Sequence, residues 1–172
     1  EGNNKELIKQ SFIYFPESLI QQYKSQYPYF YSYIKNDFKN YLLGSEKIKQ
    51  ALLKYSVGML TPGRIEETAS FSPNKGPNIE IIEFSNPNQD DEYYYKGNTI
   101  KLNKNLIQEY EDIMSDKNAS RNKKLAISIS LNQVLINEFT HFGDALDKID
   151  ASWYSDDYIP DVNMRLSLYK RI

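Results

Sequence analysis

The run Asn137-Glu138-Phe139-Thr140-His141 brings a carboxylate and an imidazole together within five residues. On a helix, positions i and i+4 share a face. In the pattern H-E-x-x-H the two histidines use that spacing to chelate a metal ion, and the glutamate beside the first polarises the water that attacks the substrate. The glutamate, the two-residue spacer and the second histidine are present here, but Asn137 stands in place of the first histidine. An amide oxygen is a weak zinc donor compared with a neutral imidazole, which binds zinc at about 2.0–2.1 Å. Metal affinity and activity far below those of an intact site are therefore expected. Against this stands the plainer reading that a lone histidine on an amphipathic helix is a surface or hydrogen-bonded residue and that the near-match is coincidence.

These residues need a helix to hold them, and the surrounding sequence supplies one. Ser120 can cap a helix that begins near Asn122 and carries Leu125, Ile129, Leu131 and Leu135 up to Glu138 and His141, with Gly143 as its terminator. Asn103 can cap a preceding helix through Leu106, Ile107, Tyr110 and Ile113. Ile79 to Phe84 is a β-rich run, and Tyr93-Tyr94-Tyr95 followed by Lys96-Gly97-Asn98 and Thr99 to Leu102 resembles a hairpin or a pair of short strands. Residues 16–57 carry Leu19, Tyr23, Phe30, Ile34, Phe38 and Leu42 at helical spacing, with Ser18, Tyr27 and Ser45 as breaks or caps, so two or three helices are expected. Thr61 to Asn78, with three prolines and two glycines, reads as an irregular connector. From Asp144 to Asp161 a turn-rich segment is expected, and then a short helix through Met164, Leu166 and Leu168.

The fold class is therefore α+β: helices at the N-terminus, a small central sheet, and an active-site helix ending near Gly143. We expect one domain over 1–172. Residues 1–60 form its helical part, 79–147 the sheet and active-site helix, and 148–172 a C-terminal loop and short helix. A chain of 172 residues suits a single core.

Composition excludes several classes. A net charge of -2 gives no attraction to nucleic acid or an anionic membrane, and no apolar run approaches the length that spans a bilayer. With no cysteine there is no disulfide framework, thiolate nucleophile or Cys-held zinc, so a metal must be held by His, Asp, Glu or amide oxygen. Phosphate-binding glycine loops are absent. The 15 tyrosines could form an aromatic platform at Tyr27 to Tyr33 or Tyr93 to Tyr95, but packing is the better reading. The opening Glu-Gly-Asn-Asn, without a methionine, leads us to expect a piece of a longer polypeptide or a processed form.

The segment Ile136-Asn137-Glu138-Phe139-Thr140-His141-Phe142-Gly143-Asp144-Ala145-Leu146-Asp147 resembles the active-site segment of zincin-type metallopeptidases. It is most similar to peptidase domains at the C-termini of bacterial polymorphic toxins, where the form H-E-x-x-H-x-G-D is familiar, and the resemblance covers roughly residues 79–147. It implies a zincin-like fold and a zinc-dependent hydrolysis of peptide bonds in the parent enzyme. It places Asn137 at the first ligand position, Glu138 at the general base and His141 at the second ligand. Some zincins continue as H-E-x-x-H-x-x-G-x-x-D, which makes Asp147 the first choice for the third ligand, although Gly143 comes one residue early for that pattern. Asp144 is the alternative, since 137, 141 and 144 would share a face if the helix ran on. Asp156, Asp157 and Asp161 stay open as ligands, and Tyr154, Tyr158 and Tyr169 as oxyanion-stabilising tyrosines.

The resemblance further implies a protein substrate, a cognate immunity or inhibitor protein, and secretion or delivery into a target cell within a longer bacterial polypeptide. Two origins of Asn137 are open: a deliberate His→Asn change that disables a toxic enzyme, which we favour, or a natural pseudo-peptidase acting as a protein-binding module.

Overall fold

Cap residues and prolines set where most helices begin. In the computed structural model, which describes residues 14–71, 76–86, 89, 91–94 and 98–150 and side chains as far as 146, a 3-10 turn at Glu17–Leu19 leads into α1 (Ile20–Gln26). Tyr27 breaks the chain, and Pro28 opens α2 (Pro28–Asn36) at the position where a missing N–H is harmless. After Asp37 comes α3 (Phe38–Gly44). The Ser45 hydroxyl then caps α4 (Glu46–Tyr55) by accepting from the Ile48 N–H. Four α-helices thus occupy the stretch where two or three were expected. The extra boundary at Asp37 carries no proline, glycine or side-chain cap to announce it. Ser18 lies inside the 3-10 turn and caps nothing.

The stretch read as an irregular connector contains α5 (Pro62–Thr68). Thr61 Oγ1 accepts from the Arg64 N–H at 3.2 Å and Pro62 sits in the first turn, a helix-start signal that the density of prolines and glycines obscured.

The sheet is small, as expected, and among the described residues has three strands: β1 (Asn78–Ile82), β2 (Asp91–Tyr94) and β3 (Thr99–Asn103). Their order is β1-β3-β2, with β1 parallel and β2 antiparallel to β3, so β2 is an edge strand and pairs Tyr93 with Ile100. Asn98, at φ 46°, makes the turn into β3. Its amide oxygen accepts from Tyr93 Oη at 2.9 Å and its amide nitrogen donates to the Gly76 carbonyl at 3.0 Å. The side chain of Asn103 accepts from the Asn105 N–H at 2.8 Å, capping α6 (Lys104–Ser115) as expected.

Ser120 caps the last described helix, α7, by accepting from the Lys123 N–H at 3.2 Å. This helix does not stop at Gly143; it runs unbroken over Arg121–Asp150, so Asp144 to Asp150, expected as the start of a turn-rich segment, is helical. Gly143 serves close packing instead. A Cβ at this position would lie 2.8 Å from Ser56 Cβ and closer still to Leu60 Cγ and Cδ1, so only hydrogen fits against the turn after α4. The expected C-terminal loop and short helix over residues 151–172 lie outside the described residues.

Residues spaced by three or four along α7, namely Ile127, Leu131, Leu135, Phe139 and Phe142, enter the core. Phe139 stacks on Phe142 at 5.5 Å and meets Phe38 edge-on at 6.2 Å. Tyr27 and Phe30 are buried, in keeping with the packing reading of the tyrosine-rich stretch. The start of α2 has no cap of its own; Glu111 of α6 supplies one, its carboxylate accepting from Phe30 N–H at 2.6 Å and Tyr29 N–H at 3.2 Å. Burial raises the Glu111 pKa, with the Phe30 and Tyr29 N–H groups pulling the other way. Among the described residues no helix is long and apolar enough to cross a membrane.

Two variants test these anchors by urea unfolding. Gly143→Ala adds a methyl where Leu60 and Ser56 leave no room, and a loss of about 1–3 kcal/mol is expected despite the helix preference of alanine. Glu111→Ala strands the buried Phe30 N–H and the part-buried Tyr29 N–H at the start of α2 and is expected to cost about 1–3 kcal/mol. An unchanged midpoint in either variant would contradict the role given to that residue.

Candidate functional site

Because α7 is continuous, Asn137, His141 and Asp144 fall at i, i+4 and i+7 and share a face about 120° around the helix from Gly143. Glu138 lies between that face and the core, 3% exposed. His141 is half-buried and Asp144 is buried. Asp147 is in the same helix, six residues beyond His141 and so about 120° around the axis from it, but its side chain lies outside the described residues. Asp156, Asp157, Asp161, Tyr154, Tyr158 and Tyr169 also lie outside them.

The immediate surroundings of Glu138 are polar and tight. Its Oε1 accepts from Asn137 Nδ2 at 2.7 Å, while its buried Oε2 has no hydrogen-bond donor. Across from it stands Asp91 of β2, which no feature of the sequence had singled out. In the chain it is one of three consecutive acids, Asp90-Asp91-Glu92, and reads as a solvated run. What could have marked it is strand alternation, which puts Asp91 on the same face as Tyr93.

Electrostatics sets this carboxyl apart. Burial, and after it the charge of Asp91, push the Glu138 pKa up to about 8; the Asn137 amide opposes this. Burial likewise raises Tyr93, which packs edge-on to Phe142 at 6.3 Å, to about 12.

Among the described residues no three His, Asp or Glu side chains stand together in an arrangement able to hold a metal ion. The described side chains of α7 therefore do not by themselves complete a metal site. A groove between α6 and α7, lined by Leu106, Ile113, Lys123, Ile127 and Ser130, lies about two turns or more before Glu138 and is not part of this constellation.

Folding keeps a proton on Glu138 that the unfolded chain releases. The contribution of this group to stability is thus most favourable below its ordinary pKa of 4.5 and is lost as pH rises toward about 8. Urea midpoints measured across that window should fall as pH rises, and Glu138→Gln should shrink the fall. An equal fall in both proteins would refute the assignment.

No curated protein and no solved structure matches the chain. A family model described as metallopeptidase toxin 3 matches residues 23–159, a span that runs from α1 through the whole of α7. On a match covering most of its length, the chain belongs to the metallopeptidase toxin 3 family.

Proposed function

We propose that this chain is a zincin-like peptidase toxin domain whose parent form hydrolyses peptide bonds with the aid of zinc, and that Asn137 leaves the form described here inactive or strongly impaired. Glu138 is the general base, taking a proton from the attacking water. His141 is the second ligand position and Asn137 the place of the missing first. For the third ligand the unbroken helix favours Asp144 over Asp147, because only Asp144 shares the face of 137 and 141. The observation that carries this reading is the single helical face of 137, 141 and 144 beside a buried carboxyl with an elevated pKa, the kind of group expected of a base that works near neutral pH.

Asparagine does more than remove an imidazole. Its amide nitrogen donates to Glu138 Oε1 and so ties up the base as well. In the parent form the domain would act on a protein substrate after delivery within a longer polypeptide, with an immunity protein as its cognate inhibitor.

That same Asn137–Glu138 hydrogen bond, 2.7 Å long, favours a second reading, a natural pseudo-peptidase whose self-satisfied cleft binds a protein partner. The two readings separate on one substitution. Asn137→His should raise bound zinc to near stoichiometric and increase cleavage of an unfolded protein substrate by at least about 100-fold, since even outer-shell disruption of a zinc site costs 10–100-fold. Glu138→Gln added to it should abolish the gain in cleavage. No gain in either zinc or proteolysis would overturn the catalytic reading, and partner binding undiminished by Glu138→Gln would favour the pseudo-peptidase.

A further inference from the structure

The strand β2 and the helix α7 pack with matched spacing. Tyr93 meets Phe142, with ring centres 6.3 Å apart. Two residues back along a strand is about 6.6 Å, and four residues back along a helix is about 6 Å. Stepping both back from the Tyr93–Phe142 contact therefore leads from Tyr93 to Asp91 and from Phe142 to Glu138, and the Asp91 carboxyl does interact directly with that of Glu138. The contact is held at both ends. Tyr93 is fixed by its hydroxyl on Asn98, and β2 is fixed by its pairing with the buried strand β3.

Glu138 in turn has one oxygen engaged by Asn137 and the other buried without a donor. A buried carboxylate oxygen with no donor is costly, so its setting calls for an explanation. The facing residue is another acid rather than the Asn, Ser or backbone N–H that would satisfy it. Two carboxyls in contact are held together by a proton between them, which fixes the orientation of both.

We propose that Asp91 is a further residue of this site, a positioning residue that holds the Glu138 carboxyl from the strand opposite. It acts through Glu138. This rests on the reading of Glu138 as the base, and the test is arranged so that the two can fail separately.

The first arm compares Asn137→His with Asn137→His/Asp91→Asn. Asp91→Asn should lower kcat at least 10-fold while KM and zinc content stay unchanged, and Asp91→Glu should recover part of the loss. Unchanged kcat, or parallel loss of kcat, zinc and melting temperature, overturns the proposal.

The second arm uses the chain as it stands and needs no activity. Asp91→Asn and Glu138→Gln should each shift the melting temperature, and the shift of the double variant should depart from the sum of the two single shifts. Strictly additive shifts show that the two side chains do not act on each other and overturn the proposal. If Asn137→His restores no proteolysis, the catalytic reading fails, and the thermal cycle alone decides whether Asp91 holds Glu138.

Discussion

A 30-residue helix passes the corner between α4 and α5 with only a hydrogen atom to spare, and the placement of the candidate site follows from that contact. Glycine inside a helix costs roughly 1 kcal/mol relative to alanine. At Gly143 the cost is offset by the approach of Leu60, itself fully buried, and of Ser56, whose hydroxyl accepts from the Leu60 N–H at 2.8 Å. A larger residue would push α7 off this corner. The register of Phe139 and Phe142 in the core and of Glu138 against β2 would shift with it. One side of α7 is thus fixed by the corner and another by the strand, and the face carrying Asn137, His141 and Asp144 is what those two contacts leave over.

Burial then gives Glu138 its character. A carboxyl on an exposed helix face would titrate as an ordinary acid. This one is enclosed by the aromatic core and the edge strand, which disfavours its charge, and Asp91 disfavours it further. Only the Asn137 amide works in the opposite sense. Asn137 therefore sets part of the character of its neighbour, engaging one carboxyl oxygen and drawing the pKa down against burial.

Long-range anchoring of the N-terminal helices uses the same physics with a different outcome. Glu111 is also a buried acid, but it faces two backbone N–H groups at the start of α2 and serves as a cap supplied from more than eighty residues away. Local sequence around Tyr27 and Pro28 marks where α2 begins, yet nothing local shows what satisfies its first N–H groups. The stretch around Pro62 failed for a related reason: a cap-and-proline helix start was concealed in a segment whose overall composition reads as loop.

Much was nevertheless legible in one dimension. The Asn103 and Ser120 caps, the β2–β3 hairpin, the helical periodicity leading to Leu135 and the family membership all follow from local chemistry and motif spacing, because hydrogen bonds and side chains three or four residues apart suffice to specify them. The presence of Glu138 and His141, and the asparagine at 137, are likewise matters of sequence alone. Tertiary structure decided the rest. Gly143 reads as a helix terminator until the packing of Leu60 shows why a glycine is needed in mid-helix, and Asp91 reads as one of a solvated acidic run until β2 lies against α7. Both depend on contacts between residues roughly fifty to ninety positions apart, and no local pattern encodes which surface a glycine or an aspartate will meet.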